Sequence, residues 1–249
     1  MIQIKDLHKT FGDVSVLKGL NLNIEPGQIT FIIGRSGGGK SVLIKLIIGL
    51  LKPDSGQILV DGRDIVPFGE HSLNRMRHRF GMLFQNAALF DSMTVGENIA
   101  FPLVAHSGLK EKEIKELVKQ KMAMVGLEGV EDKMPSEISG GMRKRAGLAR
   151  AIILEPEILL FDEPTTGLDP IMAEMIDDLI LHIQQRTNVT SIVISHDIPA
   201  ALRIAHKVAM IYEGQIVIYG TPEEIQASDN PVVLQFLKGE GDGPMYLGD

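Results

Sequence analysis

Eight residues, GRSGGGKS at 34–41, constrain the fold more than any other stretch of the chain. They match G-x-x-x-x-G-K-[ST] without a break. They follow the β-branched run QITFIIG and precede SVLIKLIIGLL, which has helical length and is stopped by Pro53 and Gly56. A strand that feeds a helix through such a loop makes a phosphate cradle. Glycines let successive backbone N–H groups curl around a β-phosphate, and the helix directs its positive end to the same place. Lys40 then reaches the β- and γ-phosphates, and the Ser41 hydroxyl ligates Mg²⁺. The expected nucleotide contacts are Gly34, Arg35, Ser36, Gly37, Gly38, Gly39, Lys40, Ser41 and Val42. A mere glycine-rich turn would need a chance match of about one per hundred such chains at ~7% glycine usage.

With 249 residues, 44% of them hydrophobic, the chain can bury one large α/β core or one core with an inserted lobe. A net charge of −7 argues against a surface that coats nucleic acid. No cysteine is present, which excludes disulfides, thiolate metal sites and a thiol nucleophile. No apolar run approaches the roughly 18 residues that span a bilayer, and MIQIKDLHKTFG lacks the apolar segment of a secretory signal. The expectation is a cytoplasmic protein whose role at a membrane runs through a partner.

Along the chain, QIKDLHKTF and the run from Val14 to Ile24 alternate apolar and polar residues as strands do. GQILVDGRDI adds a hairpin with an Asp61-Gly62 turn. From Asn86 to about Glu155 helix candidates cluster, among them the charge-laced KEKEIKELVKQKMAMVGL. Strands and helices then alternate again: EILLFDEP, a helix from about Pro170 to Arg186, VTSIVISHD, a further helix, and KVAMIYEGQIVIYGTP. The predicted organisation is a nucleotide-binding domain over 1–238. Its core is 1–86 and 156–238, a helical subdomain covers about 87–155, and 239–249 form a tail. VVLQFLK at 232–238 has helical spacing, and the Gly-rich GEGDGPMYLGD after it reads as a frayed end.

ILLFDEP at 158–164 ends an apolar strand in two adjacent acids. Successive strand residues face opposite sides, so the two are expected to act differently. Asp162 is placed to hold Mg²⁺ through its waters, and Glu163 to polarise an attacking water as general base. Two solvated acids at a strand end would be the bland alternative, which the phosphate loop upstream makes far less attractive. His8, His71, His78, His106, His182 and His206 show no metal-ligand spacing, and the twelve methionines read as packing.

ISGGMRKRAGLARA at 138–151 resembles the signature of ATP-binding cassette (ABC) ATPases, usually LSGGQ followed by an Arg- and Ala-rich helix; here Met142 stands at the glutamine position. The resemblance extends from about residue 2 to residue 238. It implies an α/β fold, a P-loop ABC ATPase core with an N-terminal antiparallel β-subdomain and an inserted α-helical subdomain. It also implies ATP and Mg²⁺ as ligands and hydrolysis of ATP. By the same resemblance Ser139, Gly140 and Gly141 meet the γ-phosphate held by a second copy, and Thr166-Gly167-Leu168-Asp169 crosses the dimer interface, with Asp169 contacting nucleotide in trans. Gln85 in MLFQN senses Mg²⁺, His196 in IVISHD contacts the γ-phosphate, Phe11 stacks on adenine, and Val16 packs against the same base. The basic RKRAGLAR could instead mark a nucleic-acid patch, but four positive residues in an acidic chain rarely suffice.

FQNAALFDSMTVGENIAFPL at 84–103, together with the two glycine motifs, looks like the ATPases of Mla-type phospholipid transport systems. Those pair as a homodimer with a permease dimer, a small STAS-domain subunit and a lipid-binding periplasmic protein, on the cytoplasmic face of the bacterial inner membrane. Residues 87–106 would then receive the permease, and the tail, through Tyr246, would dock on the other ATPase subunit. An ATPase of another importer is the nearest alternative. A soluble ABC ATPase acting on nucleic acid or ribosomes is more remote, since such relatives carry two cassettes or a long coiled coil. A nucleotide switch without turnover conflicts with the presence of Glu163 and His196.

Overall fold

The computed structural model describes residues 1–245. The chain opens with β1 (Ile2–Phe11), β2 (Val14–Ile24), β3 (Ile29–Ile33), α1 (Lys40–Ile47), β4 (Ser55–Val60) and β5 (Arg63–Asp64). Its middle holds α2 (Glu70–Arg77), β6 (Phe80–Leu83), α3 (Val95–His106), α4 (Glu111–Met124), α5 (Gly140–Ile152), β7 (Ile158–Asp162) and α6 (Pro170–Thr187). It closes with β8 (Thr190–Ile194), α7 (Ile198–Ile204), β9 (Lys207–Tyr212), β10 (Gln215–Gly220), α8 (Pro222–Gln226) and α9 (Pro231–Lys238). Two compact units result: Met1–Leu73 with the chain from Ile192 onward, and Asn74–Ser191.

In the first unit β1 pairs antiparallel with both β2 and β4, in the order β2-β1-β4-β5. Ile2, Ile4 and Leu7 of β1 are buried with Leu17, Leu20, Leu22 and Ile24 of β2; the alternation in the sequence holds except at the register shifts between Ile4 and Leu7 and between Leu7 and His8, the second opposite the skip from Leu17 to Leu20. This is the expected N-terminal antiparallel sheet. β3 runs parallel to β9, Thr30 opposite Lys207 through Ile33 opposite Met210, and β10 pairs antiparallel with β9. All five β3 residues are buried, which is the signature of a strand covered on both faces. The two sheets are joined where the Lys18 N–H donates to the Gly214 carbonyl at 3.0 Å and the Gln215 amide donates to the Lys18 carbonyl at 2.9 Å.

The first unit also fastens the start of the tail. Gln235 of α9 is buried, and its side-chain oxygen accepts the Met245 N–H at 2.7 Å, while its amide donates to the Glu240 carbonyl at 3.2 Å. The Tyr212 hydroxyl donates to the Pro244 carbonyl at 3.1 Å, and Met245 is itself buried. A frayed end therefore does not describe 239–245. Tyr246, the expected anchor on a second subunit, lies outside the described residues.

The second unit contains the predicted helical subdomain, as α3, α4 and α5, together with β6, β7 and α6. β6 pairs parallel with β7, Phe80 opposite Ile158 through Leu83 opposite Phe161. α5 lies so close to β6 that a Cβ on Gly81 would collide with the Ala151 carbonyl oxygen; only glycine fits there. The start of α3 is a capping box. Thr94 Oγ1 accepts the Glu97 N–H at 3.2 Å and the Glu97 carboxylate accepts the Thr94 N–H at 2.8 Å, an arrangement of about 1 kcal/mol. Among the described residues no helix is long and apolar enough to cross a membrane.

Candidate active site

The loop after β3 is shaped by what surrounds it. Gly34 has φ 146°, and any Cβ there would collide with the Ile211 carbonyl oxygen on β9. The Gly38 N–H closes the loop on the Arg35 carbonyl at 3.1 Å. Lys40, only 6% exposed, begins α1, and its ammonium donates to the carbonyls of Gly34 and Arg35, each at 2.8 Å. The amino end of α1, with Ser41 and Val42 in its first turn, therefore opens onto a glycine loop whose lysine is held on the same side. That is an anion cradle. Val16 of β2 adjoins Gly39, since a Cβ built there would lie 3.0 Å from Val16 Cγ1.

Phe11, at the end of β1, is 44% exposed, and the Lys9 ammonium stands 5.3 Å from its ring centre. Asp54 steadies that corner by accepting Lys9 Nζ at 2.8 Å and the Thr10 N–H at 2.6 Å. The lysine and the amide hold the Asp54 carboxyl below the usual carboxylate range. Beyond β8, His196 is exposed between Ser195 and Asp197, which fix its backbone. The Ser195 N–H donates to the Ile32 carbonyl at 3.3 Å, the Asp197 N–H donates to Ser195 Oγ at 2.9 Å, and the Asp197 carboxylate accepts the Ala200 N–H at 3.0 Å, capping α7.

In the second unit β7 ends at Asp162, and Glu163 has left-handed backbone, φ 51°. The argument from strand alternation thus needs correction. The two acids differ because the chain turns at Glu163, a conformation that costs an L-residue about 1–2 kcal/mol. The Thr166 hydroxyl donates to the Glu163 carboxylate at 3.1 Å. Gln85 is exposed just past β6, and with Asn86, Gly140, Lys144, Thr166 and Gly167 it borders a cavity of about 300 Å³. Ser139 caps α5 by accepting the Met142 N–H at 3.3 Å, so Gly140 and Gly141 form that helix's first turn. Asp169 caps α6, accepting the N–H groups of Ile171 and Met172 at 3.1 Å each.

Five side chains organise this unit in ways the sequence did not indicate, four of them from RKRAGLAR. Lys144, 5% exposed, donates through Nζ to the carbonyls of Gln85 and Glu163, the second at 3.3 Å. Burial pushes its ammonium below the ordinary lysine range, while the Glu163 and Asp162 carboxylates push it back up. Arg150 donates to the Ala87 carbonyl at 2.7 Å and the Ala88 carbonyl at 2.8 Å. Arg143 donates to the Ile138 carbonyl at 2.8 Å and Arg145 to the Gly126 carbonyl at 3.3 Å. The four cations of RKRAGLAR thus each donate to a main-chain oxygen of their own unit. Asn98, fully buried, accepts the Phe90 N–H at 2.7 Å and donates to the carbonyls of Phe90, Met93 and Thr94 at 3.0–3.1 Å. Its signal was faint in the sequence: a lone asparagine inside an apolar helical stretch.

The cradle and the strand-end acids define a P-loop nucleotide-binding protein of α/β class. The profile of the family described as ABC transporter matches residues 17–166, and the chain belongs to that family; it is an ATPase. It is 45% identical, over 98% of its length and 93% of the relative's, to the intermembrane phospholipid transport system ATP-binding protein MlaF of Haemophilus influenzae. It is 43% identical, over its whole length and 72% of the relative's, to a probable ribonucleotide transport ATP-binding protein, mkl, of Mycobacterium leprae. A solved dimeric ATP-binding cassette in a post-hydrolysis state, bound to ADP and Pi, superposes with a TM-score of 0.82 at 28% identity, covering 89% of this chain and 99% of that one.

Proposed function

We propose that this chain drives phospholipid transport between bacterial membranes, as a homodimer seated on a permease dimer at the cytoplasmic face of the inner membrane. The observation that carries this is the 45% identity to MlaF across nearly both whole chains. Two copies enclose two ATP molecules, each between Lys40 of one chain and Ser139, Gly140, Gly141 and Asp169 of the other. Phe11 and Val16 flank the base. Gly34, Arg35, Ser36, Gly37, Gly38, Gly39, Ser41 and Val42 surround the phosphates.

Glu163 orients the attacking water and accepts its proton, while His196 and Lys40 offset the charge that develops on the γ-phosphoryl group. Ser41, Gln85 and Asp162 are the residues that would hold Mg²⁺, through their side-chain oxygens. A hydroxyl, an amide and one carboxylate suit an ion that keeps waters and phosphate oxygens, and no group of three or more His, Asp or Glu among the described residues forms a closed cage. Bound there, Mg²⁺ would offset the negative charge of the phosphates. A small STAS-domain subunit and a lipid-binding periplasmic subunit complete the assembly.

The permease contact is assigned to 87–106, where Phe90 and Phe101 are exposed and their rings lie 5.0 Å apart. The reading predicts weak ATPase activity for the isolated chain and a higher rate with its permease. Substituting Leu89, Phe90 or Met93 with polar residues abolishes that stimulation by removing an apolar socket. An isolated chain already at its maximal rate, unmoved by any membrane partner, contradicts it. The mycobacterial relative, named for ribonucleotide transport and of nearly equal identity, makes ribonucleotide the rival cargo.

A further inference from the structure

Inside a unit that buries almost no cations, Lys144 is buried at 5% exposure one and a half turns into α5, and its ammonium goes to two main-chain oxygens rather than to a carboxylate. The choice of acceptors is what matters. One is the carbonyl of Gln85, the first polar residue past β6. The other is the carbonyl of Glu163, where the backbone adopts a left-handed turn. Such a turn persists only where its surroundings over-determine it. Six residues further along the same helix, Arg150 takes the carbonyls of Ala87 and Ala88, both also left-handed. A single helix, capped at Ser139, therefore grips the loop 85–88 at two points and the turn at Glu163 at one.

We propose that Lys144 is a positioning residue of the ATPase. By donating to the Gln85 and Glu163 carbonyls it makes these two peptides move with α5, so that the setting of the helix start at Ser139 decides where the Glu163 carboxylate stands. Lys144 touches no reacting atom; it acts through Glu163. The inference rests on the reading of Glu163 as the base. A lysine serving only to satisfy buried carbonyls would affect folding and ligand affinity together. A positioning lysine affects the chemical step.

The test compares the full chain with Lys144→Met, which keeps the aliphatic stem and removes every donor. ATPase kcat and KM are measured beside equilibrium ATP affinity. Expected is a fall in kcat on the order of 10- to 100-fold, with ATP affinity changed by less than about threefold. A kcat within about twofold of the natural chain overturns the proposal, as does a parallel loss of kcat and affinity. Should Lys144→Met not fold, Lys144→Leu is read by the same criteria, since it too removes every donor, and Lys144→Gln, whose amide keeps N–H donors on a shorter reach, is expected to recover part of kcat. Glu163→Gln measured alongside separates the two ideas. Full turnover in Glu163→Gln removes the role of Glu163 on which the inference rests. Lost turnover there with full turnover in Lys144→Met overturns the inference alone.

Discussion

Glu163 joins a carboxylate that accepts the Thr166 hydroxyl to a backbone turned out of β-geometry, next to the strand-end Asp162. Replacing it by glutamine keeps the size and the acceptor oxygen but removes the carboxylate proposed as the base. Glu163→Gln is predicted to lower kcat by on the order of 10²- to 10⁴-fold while ATP affinity is kept. ATP with Mg²⁺ then traps a closed dimer that elutes early in size exclusion. Turnover at the natural rate removes Glu163 as the base. At this scale the acids were legible because an apolar strand ending in Asp-Glu is local information. The left-handed turn was not, because alternation along a strand says nothing about where the strand stops. Lys144 was hidden for a different reason: in RKRAGLAR a buried cation and an exposed one look alike.

The elements were legible wherever periodicity or punctuation was strong. The Asp61-Gly62 hairpin joins β4 to β5, and the helix expected from about Pro170 to Arg186 is α6, ending one residue later before Asn188 at φ 53°. The close fit of α5 on β6 was not legible, because Gly81 and Ala151 are neighbours only in three dimensions. α4 and the chain just past α5 are pinned by Lys121 Nζ, which donates to the Glu155 carboxylate at 2.9 Å. The hydrogen bond from Lys121, then its charge, holds the Glu155 carboxyl below its usual 4.5. With the folded pKa depressed, the contribution is present above about 4.5 and is lost as pH falls through the folded value. The pair is largely open to solvent on the Glu155 side, so Glu155→Gln is expected to cost about 0.3–1 kcal/mol at neutral pH. Denaturant unfolding of both proteins at about pH 7 and about pH 3 checks it. The gap closes at the acid end, and an equal gap at both pH values contradicts the assignment.

At the scale of the whole molecule, three motifs in order, GRSGGGKS, ISGGM and ILLFDEP, were enough to read the fold class and the ATPase activity. The boundaries at about 87 and 155 mark where helices replace alternating elements. Compactness instead groups β6, β7 and α6 with those helices, because pairing between β6 and β7 brings together residues nearly eighty positions apart. The cargo is the part least legible from either source, since the machinery around ATP is shared by relatives named for phospholipid and for ribonucleotide transport. Purification of the tagged chain from its native membranes, with identification of the co-purifying proteins and lipids, tests the central claim most directly. The account predicts a membrane permease accompanied by enriched phospholipid. A ribosome, a permease for nucleotides or amino acids, or no membrane partner at all contradicts it.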